Sequence, residues 1–340
     1  MKDTRPIIGI TMGDPVGIGP EIVLLALEDP SLYKCCRPLV FGDIRILNAA
    51  GRCLNRPVIL NRVKFPASGK YTSGSVDVIN QTDLDPSKIS WGNPSELTGR
   101  AMITYIKCAV DMAITGEIAA VVTGPINKSA MKMAGSKFLG HTEYIAHRTK
   151  SEHFVMMMAG KKLRVSLVTI HLSLKEAAAS LTTENIFKTI EITHLALNTR
   201  FGLKKPRIAV AGLNPHAGEQ GLFGSEEKDI ITPAVRKAAE KGMEVFGPLP
   251  PDTVFYHAYK GQYDTVVCMY HDQGLIPFKL LHFMDGVNTT LGLPVIRTSV
   301  DHGTAYDIAG TGSADPGSMI AAIRMAASQA DFLAEKQETP

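Results

Sequence analysis

Residues 7–21 read Ile7-Ile8-Gly9-Ile10-Thr11-Met12-Gly13-Asp14-Pro15-Val16-Gly17-Ile18-Gly19-Pro20-Glu21, and this stretch decides the fold class. Residues 7–11 form a short, near-continuous apolar run, the pattern of a strand covered on both faces. The run passes into a turn rich in glycine and then into a helical pattern. Gly17 and Gly19 let backbone come close to a ligand or to another part of the chain, and the residues alone leave both readings open. The dinucleotide fingerprint needs a third glycine after two further residues; none is present, so the Rossmann motif is excluded.

Outward from this stretch the same alternation continues. Residues 38–41, 119–123, 163–170, 207–211 and 265–270 read as strands. Residues 96–116 read as a helix, with Ser95 as its N-cap and Gly116 as its stop. Helical patterns also cover 183–199, 225–241 before Gly242, and 316–334 with Met319, Ile323 and Ala326 on one stripe. Strands alternating with helices predict an α/β architecture with a largely parallel sheet. No internal repeat or low-complexity segment interrupts the pattern.

A chain of 340 residues, 45% hydrophobic and 20% charged, has ordinary globular composition. Its formal net charge of +3 is too slight to draw it to nucleic acid or a membrane. The five cysteines, Cys35, Cys36, Cys53, Cys108 and Cys268, are scattered, and the adjacent pair makes a poor bridge, so reduced thiols are expected. The first residues resemble no signal peptide, and no run approaches the ~18 apolar residues of a membrane span. The expected location is the cytoplasm.

Four segments carry chemistry. Besides the opening turn, Val122-Thr-Gly-Pro-Ile-Asn-Lys128 ends a strand where open α/β sheets bind ligands, with Gly140-His-Thr-Glu143 following. His141 alone reads equally as a capping residue. His171, His216 and His271 each end or closely follow a strand; neutral imidazoles suit Zn, Co and Mn and leave coordination positions for substrate. They match no short zinc motif. Lys279, Asn288 and Arg297 offer two cations and an amide, a set that holds phosphate or carboxylate, or else three solvated side chains. His194, in register with Phe187, Ile190 and Leu197, reads as a satisfied core histidine.

The ordered segments GDPVGIGPE, TGPINK, GHTE, GLNPHAGE, YHDQG and GLPVIRTSVDHGTAYDIAG, from Thr11 to about Ala327, resemble the 4-hydroxythreonine-4-phosphate dehydrogenase family. The resemblance implies an isocitrate/isopropylmalate dehydrogenase-like α/β fold with two α/β/α domains and a cleft between them. Residues 1–130 with 300–340 would form the cofactor-side domain, and 131–299 the substrate, metal and dimerisation domain. It also implies a homodimer with shared active sites. His171 and His216 of one subunit and His271 of its neighbour would hold one divalent ion, Zn, Mg, Mn or Co. Substrate contacts would fall on His141, Thr142, Lys279, Asn288 and Arg297, which points to a small phosphorylated hydroxy acid.

The HGTAYDIAG segment is similar to the adenosine loop of isopropylmalate dehydrogenases. His302, Gly303, Thr304, Ala305, Asp307 and Gly310 are therefore the candidates for holding NAD, and the absence of a basic cluster favours NAD over NADP. Asp272 and Asp252 are candidates for the catalytic base or for orienting an imidazole. The implied reaction is NAD-dependent oxidation of the secondary alcohol of 4-phosphohydroxy-L-threonine, with decarboxylation to 3-amino-2-oxopropyl phosphate. Asp14 departs from the Glu often found in biosynthetic members, which opens 4-phospho-D-threonate or 4-phospho-D-erythronate as substrates. The rival of another class is a non-catalytic phospholigand-binding protein; a zinc hydrolase is the rival enzyme, and the NAD loop speaks against it.

Overall fold

The computed structural model describes residues 3–138 and 140–338. The chain forms two compact units, Met1–Glu152 with Leu293–Ala334, and His153–Gly292 with Glu335–Pro340. In chain order the first strands are β1 Ile7–Thr11, β2 Arg37–Gly42, β3 Ile59–Val63, β4 Ser75–Asn80 and β5 Ala120–Thr123. The next are β6 Val155–Ala159, β7 Arg164–Leu167, β8 Ile208–Ala211, β9 Val245–Leu249, β10 Thr265–Cys268, β11 Val287–Leu291 and β12 Ile296–Val300.

In the first unit the strands lie in the order β3-β4-β2-β1-β5-β12, every pair parallel. β1 is buried along its whole length, as its unbroken apolar run requires. The glycine-rich turn that follows is buried too and spends its glycines on the protein's own backbone. Asp14 N–H donates to Pro125 O at 2.8 Å and Ile18 N–H to Thr304 O at 3.0 Å. A Cβ on Gly19 would stand 2.2 Å from Met12 O. Close packing, not ligand approach, explains that residue.

The helix Glu96–Ile114 starts at the expected cap, with Ser95 and Thr98 forming a reciprocal capping box. It ends two residues before Gly116, which takes φ +77° just beyond the C-cap. Gly99 sits inside this helix, where glycine costs roughly 1 kcal/mol relative to alanine. The space explains it: a Cβ there would lie 2.1 Å from Ala130 O, on the helix Lys128–Met133.

In the second unit the order is β11-β6-β7-β10-β8-β9. The β11-β6 and β6-β7 pairs are antiparallel, whereas β7-β10, β10-β8 and β8-β9 run parallel. Core side chains such as Val165, Leu167, Ala209, Val266 and Phe278 fill one cluster between strands and helices.

Several expectations change. Strands β3, β4, β6, β9, β11 and β12 were not foreseen. The run 265–270 stops at Cys268, and His271, which closely follows that strand as expected, opens the helix His271–His282. The pattern over 225–241 begins as the π-helix Glu227–Ile231 before the α-helix Thr232–Glu240. His194 is half-buried on the helix Thr183–Thr199, but its Nδ1 has no hydrogen-bond partner among the described residues, so it is not satisfied. All five cysteines are free thiols. No helix among the described residues is long and apolar enough to cross a membrane.

Gly99→Ala should destabilise the first unit by about 1–3 kcal/mol, against its favourable helix propensity, because the new methyl overpacks a backbone carbonyl. Urea denaturation checks this, and a variant as stable as the parent would show that the two helices can separate freely.

Candidate active site

The three candidate metal histidines leave the carboxyl ends of three adjacent parallel strands, β7, β10 and β8. That edge is where open α/β sheets bind ligands. Beyond β7 the chain stays beside β10: Val168 N–H donates to Cys268 O at 2.9 Å and Thr169 Oγ1 to Met269 O at 2.7 Å. His171 and His271 consequently face each other, ring centroids 5.9 Å apart, in a cavity of about 270 Å³ shared with Leu172, Leu174, Tyr270 and Asp272. His271 Nδ1 lies 2.7 Å from Asp272 Oδ1. That contact restrains the ring through Nδ1 and leaves Nε2 as the nitrogen open to a ligand, as for a histidine oriented to bind a cation.

His216 is exposed and occupies a strained turn. His216, Ala217, Gly218, Glu219 and Gln220 all have φ between +41° and +78°. A left-handed backbone costs a residue with a side chain about 1–2 kcal/mol, so such a run persists only where its surroundings dictate it. Glu227, buried at the head of the π-helix, supplies that restraint. Its Oε1 accepts from Asn214 N–H at 2.7 Å and its Oε2 from Asn214 Nδ2 at 3.0 Å. Asp252 is exposed in the turn ahead of the helix Val254–Tyr259. Among the described residues, no three His, Cys, Asp or Glu side chains of one chain are grouped to hold a metal ion.

Of the candidate substrate residues, His141, Thr142 and Arg297 belong to the first unit, and Lys279 and Asn288 to the second. His141 and Thr142 open the helix His141–Arg148. His141 Nε2 is closed off from solvent without a hydrogen-bond partner among the described residues. Burial first, and the positive charge of Arg297 second, push its pKa well below the ordinary histidine value, so the ring is neutral at neutral pH. Arg297 is only 2% exposed, donates from Nη2 to Thr123 Oγ1 at 2.8 Å, and is pushed down to about 10 by burial. Lys279 is half-buried on the helix His271–His282, its Nζ 5.7 Å from the Phe283 ring centre. Asn288, on β11, has an Oδ1 that is buried without a partner among the described residues.

The candidate NAD loop is fastened to the opening turn at four points. Thr304 O accepts from Ile18 N–H, and Glu21 accepts from Gly310 N–H at 2.8 Å and Gly312 N–H at 2.6 Å. Tyr306 Oη donates to Asp14 Oδ2 at 2.5 Å. Within the loop, Ala305 takes φ +41° and Gly310 lies against the Trp91 ring, while Gly303 and Asp307 are exposed. His302 Nδ1 is 3.0 Å from Gly303 O, and its Nε2 is buried without a partner among the described residues.

Three residues that hold these parts in place were missed: Gln273, Glu21 and Tyr306. Gln273 is buried; its Oε1 accepts from Met269 N–H at 2.6 Å and its Nε2 donates to Gly212 O at 2.6 Å. Each lies inside a quoted motif. Only the fold gives its side chain a partner.

Residues 34–326 match the family model described as pyridoxal phosphate biosynthetic protein PdxA. A 4-hydroxythreonine-4-phosphate dehydrogenase of Desulforapulum autotrophicum is 58% identical over 330 residues, covering 97% of each chain. A D-threonate 4-phosphate dehydrogenase of Cupriavidus necator is 47% identical and covers 96% of this chain and 98% of its own. The crystal structure of a 4-hydroxythreonine-4-phosphate dehydrogenase from Klebsiella pneumoniae superposes with a TM-score of 0.89 at 43% identity, covering 97% of this chain and 99% of that one.

Burial raises the pKa of Asp14 above the ordinary carboxylate value, while the Tyr306 hydroxyl and the Val16 N–H pull it back. A carboxyl raised in the folded state favours the protonated fold, so its contribution to stability declines as pH rises through the interval between unfolded and folded values. Removing the hydroxyl widens that interval. Tyr306→Phe should therefore cost about 1.5–3 kcal/mol at about pH 7, and less near about pH 2.5, below the ordinary carboxylate value, where both states carry the proton. Urea melts at the two pH values measure it; equal losses would show that the bond does not depend on the carboxylate charge.

Proposed function

The chain belongs to the family described as pyridoxal phosphate biosynthetic protein PdxA, and on that footing we propose that it oxidises the secondary alcohol of 4-phosphohydroxy-L-threonine, the keto acid then losing CO₂ to give 3-amino-2-oxopropyl phosphate. Its relatives at high identity make it an oxidoreductase acting on a CH–OH group, which sets aside both the non-catalytic binding protein and the zinc hydrolase. The observation that carries the finer reading is the emergence of three histidines at one edge from three adjacent parallel strands.

The donors are of the type a divalent ion takes, three imidazoles with one oriented by a carboxylate; the pair that faces at 5.9 Å, His171 and His271, belongs to one copy, so in a shared site its two rings would serve different ions. His171, His216 and His271 would hold it, drawn from two copies of the chain. NAD fits the loop through His302, whose buried Nε2 awaits a partner, with Gly303, Thr304, Ala305, Asp307 and Gly310 around it. When bound, the metal polarises the substrate hydroxyl and stabilises the charge developed as CO₂ leaves, and NAD accepts hydride. Asp272 orients His271, which leaves Asp252 as the remaining candidate for the base. His141 offers a neutral ring beside the Arg297 cation, and with Thr142, Lys279 and Asn288 they are the proposed holders of substrate and its phosphate.

The working form is a homodimer. Ile276 is 68% exposed, Leu280 86%, Phe283 73% and Met284 55%, an apolar stripe along and just past the helix that begins at His271. Their spacing puts them on one face, and a second copy would cover them. A second substrate reading, D-threonate 4-phosphate, is favoured by Asp14 and by relatives of that name at 47% identity.

A substrate panel assayed for NADH release with Mg, Mn, Co or Zn should show metal-dependent turnover of 4-phosphohydroxy-L-threonine, lost in His216→Ala with the thermal melt unchanged. Faster turnover of D-threonate 4-phosphate would move the assignment to the second reading, and undiminished activity after chelation would remove the metal from it. Leu280→Glu should elute as a monomer in size-exclusion chromatography and lose turnover together with the dimer; an active monomer would overturn the shared site.

A further inference from the structure

The second unit holds a cavity that the proposed chemistry does not use. It has a volume of about 320 Å³ and is lined by Lys161, Lys162, Arg164, Tyr259, Lys260 and Tyr263, among others. It lies at the amino ends of β7 and β10, since Arg164 is the first residue of β7 and Asp264 immediately precedes β10. The histidines leave the opposite ends of the same strands.

The charge of this cavity is unbalanced. Asp264 is the one acidic residue on its wall, and its carboxylate is committed to Arg207. Oδ2 accepts from Arg207 N–H at 2.7 Å and Nε at 3.2 Å, and Oδ1 from Nη2 at 3.0 Å. Lys161, Lys162 and Lys260 form no ion pair among the described residues. The Arg164 guanidinium stacks on Phe201 at 5.3 Å and donates only to a backbone carbonyl, Asp264 O, at 3.3 Å. Burial lowers its pKa, with the charge of Asp264 opposing. A desolvated guanidinium and three ammonium groups around one hollow favour an incoming anion with more than one charge.

The lysine-bearing turn is built rather than loose. Gly160 N–H donates to Leu163 O at 3.0 Å, closing the turn between β6 and β7. His282 is buried beneath it: Nε2 accepts from Lys162 N–H at 3.1 Å, and Nδ1 meets Asp285 Oδ1 at 3.0 Å. A Cβ on residue 160 would stand 2.5 Å from that imidazole, so glycine is required for the contact. The ring thus anchors the segment that carries Lys161 and Lys162, which reduces the ordering cost when a ligand binds.

We infer that this cavity is a binding site for a small phosphorylated molecule, distinct from the histidine edge. The four cations match the charge of a phosphate ester or diphosphate, the volume falls in the range of small-ligand sites, and the Tyr259 and Tyr263 rings offer an apolar wall for the carbon skeleton.

The probe is inorganic pyrophosphate, titrated calorimetrically into the full-length protein in metal-free buffer at low ionic strength. Hydrogen–deuterium exchange, with and without pyrophosphate, then locates it. Lys161→Glu combined with Lys260→Glu should weaken binding at least tenfold, with exchange in the parent slowed over residues 160–164 and 258–264. Both lysines are exposed, so the thermal melt should not move. Absence of binding at millimolar pyrophosphate, equal affinity in the charge-reversed protein, or protection confined to other segments would each overturn the assignment. None of these outcomes depends on turnover, so the proposed dehydrogenase reaction stands or falls separately.

Discussion

One chain of hydrogen bonds fixes the edge on which the candidate chemistry rests. Thr169 Oγ1 donates to Met269 O, Met269 N–H donates to Gln273 Oε1, and Gln273 Nε2 donates to Gly212 O. These bonds sew together the segments leaving β7, β10 and β8, just before each delivers its histidine. Strand pairing alone would stop at Leu167, Cys268 and Val210. The next residues hold polar backbone in a buried setting, where an unmet donor or acceptor costs about 1–3 kcal/mol. The Gln273 amide meets one of each at once, and an apolar residue there would orphan both.

The strained turn at His216 extends that restraint. Four residues with side chains in the left-handed region represent several kcal/mol of backbone cost, on the order of 1–2 kcal/mol apiece. Glu227 offsets it locally through the Asn214 amide and backbone. The carboxylate reaches back because the helix opens with a π-turn, which rotates its first residues relative to an α-helical start. Irregular backbone at one histidine and again in the helix that follows it is the pattern of a segment shaped for a ligand.

Local chemistry made part of this legible. The helix Thr183–Thr199 and strand β1 have the limits expected from periodicity and apolar run, and Ser95 caps as its residue type dictates. Strands β11 and β12 escaped because they read VNTTL and IRTSV, polar runs whose Thr289, Thr290, Thr298 and Ser299 are nevertheless buried. β9 contains Gly247 and Pro248, both breakers, and β3 is largely exposed. His271 closely follows a strand as expected, but the helix that it opens, with Tyr270 extended at the N-cap, is announced by no periodicity in residues 265–270. The proximity of His171 to His271 depends on the pairing of β7 with β10, strands remote in sequence, and so lies beyond any local signal.

The helix His271–His282 concentrates these demands. One face, Gln273, Gly274, Leu275, Phe278 and His282, is buried against the second unit's core, while Ile276 and Leu280 on the other face water in the single chain. A helix apolar on both faces is stable in water only when both are covered. Covering the outer face with a second copy would load the same rod, ~18 Å long for its twelve residues and carrying Pro277 inside it, that presents His271 at one end and braces the lysine turn through His282 at the other. Because Gln273 lies within the first turn and His282 at the last residue, the rod is held at both ends by side chains that tolerate little displacement. A partner docking on this face would therefore meet a preset ligand geometry, and assembly would add a donor without having to order one.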